Sequence, residues 1–337
     1  MQKWFEAQWQ YFGLAQLVLL PLSWLFQLLS TIRRWCYQNG VFTSYSLSIP
    51  VIVVGNITVG GTGKTPLVIL LAELLKKEGY TPGVISRGYG GVLSGEVYAE
   101  SDPLKYGDEP VLISKRTGCP VWVNANRVEA GLALIRAHPE CDVILCDDGL
   151  QHYRLKRDVE IVVVNSNSSL GNRHLLPSGP LREKLNRLKT VDAIIDTGRI
   201  GLSNLVVGNQ SPPIFSAHLN MLGIYSLDEK NKISLDELKK QSIVAIAGIG
   251  HPDRFFNFIK GLGLNCEIRG FNDHHAFRQQ DFLDYQHKTI LMTEKDAVKC
   301  KHLNLKNAWY LPVSAMLVSS EQSSSLSELI IQKLNRS

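Results

Sequence analysis

The sequence predicts an α/β protein with a mostly parallel sheet, a second and smaller α/β domain, and a membrane-associated helix at the N-terminus. Three observations support this fold class. Apolar runs of strand length alternate with amphipathic segments of helix length, which is the pattern of a parallel sheet. A glycine-rich loop directly follows the first of these runs, and a stretch near the N-terminus is almost entirely apolar. We therefore divide the 337 residues into an N-terminal helix (1–35), a nucleotide-binding domain (36–210) and a smaller C-terminal domain (211–337).

The N-terminal stretch, residues 12–29, predicts a helix that associates with a membrane. Of its 18 residues only Gln16, Ser23 and Gln27 are polar, aromatic residues precede it, and an arginine pair follows it. Such flanks are typical of segments at a membrane–water boundary. At a helical step of about 100° per residue the polar residues fall on one narrow stripe. Three placements therefore stay open: in the plane of the interface, across the bilayer, or inside a protein core.

Residues 55–66 read GNITVGGTGKTP, which is the phosphate loop of P-loop NTPases. The loop follows an apolar strand and opens a helix, as the motif requires. Lys64 would place a positive charge on the phosphates of a nucleoside triphosphate, and the Thr65 hydroxyl would ligate Mg²⁺. Thr58 stands where the general motif has glycine, so the backbone freedom comes from the glycines that follow it. The predicted phosphate contacts are Thr58, Val59, Gly60, Gly61, Thr62, Gly63, Lys64 and Thr65.

Three acidic or histidine-containing stretches are candidates for the chemistry. Asp147 and Asp148 close an apolar strand about 80 residues after the phosphate loop, where P-loop proteins place the acid that holds Mg²⁺. A turn of sequence Asp-Asp-Gly is the alternative reading. Asp108-Glu109, and Asp273 with the two histidines after it, are candidate bases, because a hydroxyl that attacks a γ-phosphate must lose its proton. Taken alone, the Asp108-Glu109 and Asp273 stretches would more often be read as loop-capping residues.

Arginines at predicted strand ends are candidates for phosphate binding. Arginine can form bidentate hydrogen bonds with phosphate oxygens, whether these belong to ATP or to a phosphorylated acceptor. An exposed surface charge is the equally acceptable alternative for each of them. The candidates are Arg87, Arg127, Arg173 and Arg182.

The C-terminal half begins after a change in composition over residues 198–235, where we place the domain linker. A strand over 242–247 then enters the glycine turn 248–252, which we interpret as a tight structural turn rather than a second nucleotide site. The six cysteines lack metal-site spacing and are expected to be reduced packing residues. The net charge is +5, and the sequence contains no long run of basic residues. This charge distribution suits a membrane surface or a phosphorylated ligand better than nucleic acid.

Seven motifs together closely resemble the tetraacyldisaccharide 4'-kinase family of lipid A synthesis, and they occur in the family's order. The resemblance covers approximately residues 50–300. Thr58, which departs from the general phosphate-loop motif, matches the family at this position. The motifs are GNITVGGTGKTP at 55–66, SRGYGG at 86–91, GDEP at 107–110, DDGLQH at 147–152, LLPSGPLRE at 175–183, DHH at 273–275 and TEKDAV at 293–298.

The resemblance implies an enzyme that uses ATP and Mg²⁺ to phosphorylate the 4'-hydroxyl of tetraacyldisaccharide 1-phosphate, forming lipid IVA for lipopolysaccharide. It implies two α/β domains with the active site between them, at the cytosolic face of a Gram-negative inner membrane. By matching motif, Asp108 and His274 resemble the family's general-base pair, with Glu109 near the metal. Asp147 and Asp148 match the metal and phosphate site.

The same resemblance implies a lipid substrate and a membrane surface as partners, and no nucleic acid. We expect the N-terminal helix to orient the cleft toward the headgroups, while one of Arg87, Arg127 or Arg182 meets a phosphate. A membrane-associated P-loop switch ATPase is the alternative class. Such proteins often carry lysine at the position of Val59, so this residue counts against that class.

Overall fold

The computed structural model describes residues 8–9, 11–167, 170–198 and 211–336. The helices are α1 (Leu14–Gln38), α2 (Lys64–Lys77), α3 (Pro103–Tyr106), α4 (Asp108–Thr117), α5 (Arg127–Ala137), α6 (Leu235–Leu238), α7 (Pro252–Gly261), α8 (Glu294–Cys300) and α9 (Ser320–Leu334). Short 3₁₀ helices cover Leu185–Thr190 and Gln279–Tyr285. The strands are β1 (Val51–Gly55), β2 (Pro82–Ser86), β3 (Gly95–Val97), β4 (Val121–Val123), β5 (Val143–Asp147), β6 (Val159–Val164), β7 (Ala193–Asp196), β8 (Ile214–Met221), β9 (Tyr225–Ser226), β10 (Ile243–Ala247), β11 (Cys266–Gly270), β12 (Thr289–Thr293), β13 (Ala308–Leu311) and β14 (Val313–Leu317).

Within the described ranges the strands form two sheets, of nine and five strands. The larger has the order β14-β8-β7-β6-β1-β5-β2-β4-β3 and is parallel except at its two edges, β14 and β3. Its central strand β1 lies between β5 and β6, with Val54 opposite Asp147. Because parallel strands end at the same sheet edge, this register brings the phosphate loop and Asp147 together.

Helices cover both faces of the larger sheet, which explains why its central strands are apolar throughout. Ile52 and Val54 of β1 pack on one face against α2, α4 and α9, while Val51 and Val53 pack on the other against α5. A parallel strand buried on both faces needs apolar residues at every position rather than at alternate ones. The predicted α/β class with a mostly parallel sheet is confirmed.

The smaller sheet has the order β11-β10-β12-β13-β9 and is parallel except for the edge strand β9. It is formed by residues 225–311, which we call the smaller unit; the rest of the described chain after α1 is the larger unit. The two units meet where α4 packs against α8. The predicted second α/β unit is therefore present, but the chain enters and leaves it through neighbouring strands of the larger sheet.

The structure differs here from the expected division at residue 211. Strands β8 and β14 pair with each other in the larger sheet, and α9 packs on its core through Leu326 and Ile330. Part of the expected linker over 198–235 is strand β8, and residues 199–210 lie outside the described ranges. The reason is physical: β8 reads IFSAHLNM with only Phe215 and Ala217 buried, so it lacks the apolar run that marked the other strands.

Helix α1 lies on the larger unit with its polar stripe inward. Gln16 and Ser23 are buried, whereas Leu14, Val18 and Trp24 are 82%, 76% and 63% exposed. The helix is long and apolar enough to cross a membrane by length and composition, yet little of it is buried in the protein. A soluble core helix would bury its apolar side, so the core-helix alternative is wrong.

Candidate active site

The phosphate loop connects β1 to α2 with the geometry that the glycines predict. Gly60 and Gly63 have φ angles of +91° and +84°, which side-chain-bearing residues rarely adopt. Thr58 is buried and forms a backbone bridge with Leu181. The N–H of Val59 donates to the Pro180 carbonyl at 2.9 Å. This bond uses the Val59 N–H within the protein, so the predicted contact of Val59 with a phosphate stays a prediction.

Lys64 meets Asp148 at the end of β5. Its Nζ lies 3.1 Å from the Asp148 carboxylate, and Arg182 approaches the same carboxylate at 3.4 Å. Burial opposes the ionisation of Asp148, but the charges of Lys64 and Arg182 outweigh it and lower the pKa to about 2. Asp148 also has a φ of +49°, an uncommon conformation outside glycine that occurs at functional turns. Lys64 is therefore held by a carboxylate whose charge a second cation, Arg182, also balances.

Asp147 lies beside this pair in a very different environment. It is 1% exposed, and its Oδ2 accepts a hydrogen bond from Ser86 Oγ at 3.2 Å. Its Oδ1 lacks a hydrogen-bond partner among the described residues. Burial raises the pKa of Asp147 to about 7, and the charges of Glu109 and Asp148 add to this shift. A buried acceptor with an unfavourable negative charge is a position where a cation would be stabilised.

The two candidate bases from the two units lie in direct contact. Asp108, at the start of α4, is 2% exposed, and both its carboxylate oxygens lie 3.1 Å from His274 Nδ1. Burial opposes the ionisation of Asp108, but Lys295, His274 and Lys299 lower its pKa to about 2. The His274 ring packs against Tyr89 in a tilted arrangement with ring centres 4.9 Å apart. Its Nε2 lies 3.6 Å from Asp273.

The second histidine of the doublet has a different role. His275 Nε2 lies 3.0 Å from Asp281, and its ring packs against Phe271 and Phe277. These contacts stay within the smaller unit. Of the two histidines, it is His274 that reaches the larger unit.

Two lysines of α8 belong to the site, and sequence reasoning gave them no role. Lys295 Nζ lies 3.1 Å from Glu109 and 3.5 Å from Asp108. Lys299 lies 2.8 Å from Asp296 and 3.8 Å from Asp108. The sequence did carry one signal for this role. The two lysines are spaced i, i+4 directly after an apolar strand, which places both on one face of the helix. They balance the carboxylates that converge between the units.

The predicted arginines do not act as one set. Arg182 contacts Asp148, as described above, while Arg87 is exposed just after β2. Arg127 is 4% exposed and donates to the carbonyl groups of Asn124, Ala125 and Asp148 at 3.3 to 3.4 Å. The guanidinium of Arg127 therefore lies on carbonyl groups under the Asp148 turn, and its predicted contact with a phosphate stays a prediction. Arg173 lies beside α1 and has a φ of +62°.

A phosphate loop, an acidic strand end beside it and a contact between a buried aspartate and a histidine of the other unit define a P-loop protein built for phosphoryl transfer. The comparison with known proteins is more specific. The chain belongs to the tetraacyldisaccharide-1-P 4'-kinase family, whose model matches residues 15–335.

Two relatives and one solved structure illustrate the similarity. A protein of Methylobacillus flagellatus named tetraacyldisaccharide 4'-kinase is 44% identical over 340 residues, which cover 99% of this chain and 96% of the relative. A protein of Pasteurella multocida with the same name is 44% identical over 322 residues, 94% of each chain. The crystal structure of LpxK from Aquifex aeolicus in complex with ATP is similar with a TM-score of 0.77 at 28% identity, and covers 95% of this chain and 100% of that one.

Proposed function

We infer that this chain transfers the γ-phosphate of ATP to the 4'-hydroxyl of tetraacyldisaccharide 1-phosphate, which forms lipid IVA in lipid A biosynthesis. The observation that carries this function is the contact of His274 Nδ1 with Asp108 at 3.1 Å. An alcohol acceptor requires a base, and a carboxylate-backed imidazole is suited to that task. A membrane-associated switch ATPase, the alternative, has no alcohol to deprotonate, and the relatives are named as kinases.

Proton transfer is assigned to the Asp108–His274 pair. When Nδ1–H donates to Asp108, the lone pair of the ring lies on Nε2, which is then free to accept the proton of the 4'-hydroxyl. The hydroxyl oxygen forms its bond to the γ-phosphorus as the bond to the β-phosphate oxygen breaks, and ADP leaves. Asp108 stabilises the imidazolium, because its lowered pKa keeps it ionised.

Lys64 and the loop residues after Val59 are assigned to the phosphates of ATP. Lys64 is paired with Asp148 at 3.1 Å, so the phosphates compete with this carboxylate for the lysine charge. Arg182 contacts Asp148 from the other side and compensates for the charge when Lys64 turns to the nucleotide. Arg87 and Arg182 stay candidates for an acceptor phosphate.

Mg²⁺ is assigned to Asp147 and Thr65, with Glu109 near it. Among the described residues Asp147 Oδ1 has no hydrogen-bond partner, and together with the raised pKa of this carboxyl it supports a cation here. Mg²⁺ takes most of its ligands from phosphates and water, so it needs few protein ligands. When bound, Mg²⁺ would neutralise phosphate charge. Asp148 is a weaker candidate ligand because Lys64 and Arg182 already balance it.

The membrane surface is proposed as the second partner, at the cytoplasmic face of the inner membrane where ATP is available. An acceptor with four acyl chains stays in the bilayer, since exposing each CH₂ costs ~0.8 kcal/mol. The outward apolar side of α1 would enter the interface. Ser23 Oγ donates to the Leu175 carbonyl at 3.0 Å and accepts from Ser178 N at 2.9 Å. These bonds hold α1 against the larger unit, which supports a helix lying in the interface over one that spans the bilayer.

The function is tested by incubating the full chain with radiolabelled ATP, Mg²⁺ and tetraacyldisaccharide 1-phosphate in detergent micelles. We expect label on the 4'-oxygen of the lipid, and loss of labelling by orders of magnitude in Lys64→Ala. Lys77→Ala, in the last turn of the same helix, is the matched control and should label the lipid normally. Unlabelled lipid together with Lys64-dependent ATP hydrolysis would favour the switch ATPase.

A further inference from the structure

The start of α7 in the smaller unit lies directly on the phosphate loop. Arg254 Nη1 donates to the Gly61 carbonyl at 2.6 Å, although 193 residues separate them. The ring of His251 packs on Gly60 so closely that a Cβ there would lie 2.7 Å from its Nε2. Sequence reasoning assigned this stretch a structural turn only. Its contacts place it within the phosphate site.

The same turn also borders the proposed base. A Cβ added to Gly250 would lie 3.1 Å from the Asp273 carboxylate and 3.9 Å from the Gly61 nitrogen. Residues 250–254 therefore fill the space between the phosphate loop and the Asp273–His274 stretch. The attacking hydroxyl is deprotonated at His274, so the γ-phosphate must point toward the smaller unit. Arg254 consequently lies at the end of the loop where the transferred phosphoryl group is expected.

The chemistry of Arg254 suits this position. Its guanidinium carries a permanent charge and offers a planar fork of donors that matches two phosphate oxygens. In phosphoryl transfer the negative charge spreads over the equatorial oxygens, and an arginine directed at them accelerates many P-loop enzymes. Lys64 approaches the phosphates from α2 in the larger unit. Arg254 would provide the second positive charge from the opposite unit.

We propose that Arg254 is an arginine finger supplied by the smaller unit of the same chain. Its guanidinium exchanges the Gly61 carbonyl for oxygens of the γ-phosphate as the transition state forms, and His251 holds the turn on the loop. This inference rests on the proposed phosphoryl transfer and deepens it. Arg254 neither gains nor loses a proton: the proton of the acceptor goes to His274, and the electron pair of the broken bond stays on ADP.

The test compares the full chain with Arg254→Ala, Arg254→Lys and the control Lys260→Ala, an exposed cation at the other end of the same helix. The affinities for Mg·ADP alone and for Mg·ADP with aluminium fluoride, which mimics the transferred phosphoryl group, are measured by calorimetry. Both Arg254 variants should weaken analogue binding about 10²-fold or more. Binding of Mg·ADP should change less than about threefold, the control should match wild type, and added guanidinium should partly restore Arg254→Ala.

Several results would overturn the proposal. One is analogue affinity in Arg254→Ala within about threefold of wild type. Another is an equal loss of affinity for Mg·ADP and for the analogue, which would make Arg254 a clamp between the units. Because these measurements omit the lipid, they are independent of the acceptor. Failure of wild type to label the lipid would refute the proposed function, whereas the analogue result refutes only the arginine finger.

Discussion

His274 Nδ1 lies 3.1 Å from both carboxylate oxygens of Asp108, although the two residues are 166 positions apart and belong to different units of the fold. The contact is supported by ion pairs between helix α4 of the larger unit and helix α8 of the smaller unit. Arg116 approaches Glu294 at 2.8 Å, and Lys295 approaches Glu109 at 3.1 Å. The proposed base is therefore assembled only when the two units pack together. Motion between the units would regulate access to it.

Lys295→Met should destabilise the protein and weaken catalysis, because Lys295 is the leading charge that lowers the pKa of Asp108. The pKa of about 2 lies below the unfolded value of about 3.9. Asp108 thus contributes stability above about pH 4 that is lost as the pH falls toward 2. The variant should lose about 2 kcal/mol or more at pH 7, and its acid-unfolding midpoint should move to higher pH.

Denaturant unfolding at several pH values checks the Lys295 prediction. Lys301→Met removes an exposed lysine that pairs with Glu100 at 2.9 Å and is the control, since exposed pairs contribute little. A Lys295→Met protein as acid-resistant as wild type would show that Asp108 does not depend on this lysine.

The Mg²⁺ requirement should depend on pH through Asp147. With a pKa raised to about 7, the carboxyl is mostly protonated at pH 6 and cannot bind a cation well. Apparent Mg²⁺ affinity should therefore rise about tenfold between pH 6 and 8 and level off above. Asp147→Asn should lose most of the affinity and this pH dependence, while Asp142→Asn, at an exposed residue just before β5, should behave as wild type. Magnesium titrations of activity measure both, and normal Mg²⁺ affinity in Asp147→Asn would remove this residue from the metal site.

Ser23→Ala should loosen α1 from the larger unit. The substitution leaves the buried Ser178 N–H and Leu175 carbonyl without the Ser23 hydroxyl, at a cost of about 1–3 kcal/mol. Ser30→Ala is the matched control, because the hydrogen bond that Ser30 makes among the described residues stays within its own helix, to Gln27. Hydrogen exchange of residues 174–181 in detergent should accelerate in the first variant alone. Equal exchange in both variants would mean that Ser23 does not hold the helix.

Charges on the outward side of α1 should weaken membrane binding without disturbing the active site. Val18→Glu and Leu25→Glu, at residues 76% and 52% exposed, should reduce flotation with anionic vesicles and turnover of vesicle-embedded acceptor. Activity on acceptor in detergent micelles should be retained. Leu132→Glu, at a similarly exposed leucine of α5, is the control. Unchanged flotation of the α1 variants would argue against an interfacial helix.

Local patterns predicted the features that depend on neighbouring residues. The strand–loop–helix of the phosphate site, the acid at the end of β5 and the polar stripe of α1 follow from periodicity and turn chemistry. The contact of Asp108 with His274 could be expected only from a family resemblance, because no local signal reports that two distant loops meet. The return of β8 and β14 to the larger sheet was missed for a related reason. These strands at and next to the edge of the sheet are buried at only part of their positions, so they carry few consecutive apolar residues.

Side-chain roles were the least predictable part of the site. Arginine is a residue type that commonly binds phosphate, yet Arg127 is buried under the Asp148 turn, where its N–H groups donate to carbonyl groups. Lysine is a residue type usually found on the surface, yet three carboxylates surround Lys295. In both cases tertiary packing decides which partner is near.

The central claim is that His274, backed by Asp108, accepts the proton of the acceptor hydroxyl, and the neighbouring histidine offers the most direct test. The rate of phosphate transfer to tetraacyldisaccharide 1-phosphate at saturating ATP would be measured for His274→Ala and His275→Ala, together with ATP affinity. Loss of a general base predicts a rate lower by about 10²-fold or more in His274→Ala, near-normal ATP affinity, and a His275→Ala rate within several-fold of wild type. A His274→Ala enzyme within about threefold of wild type would contradict the account.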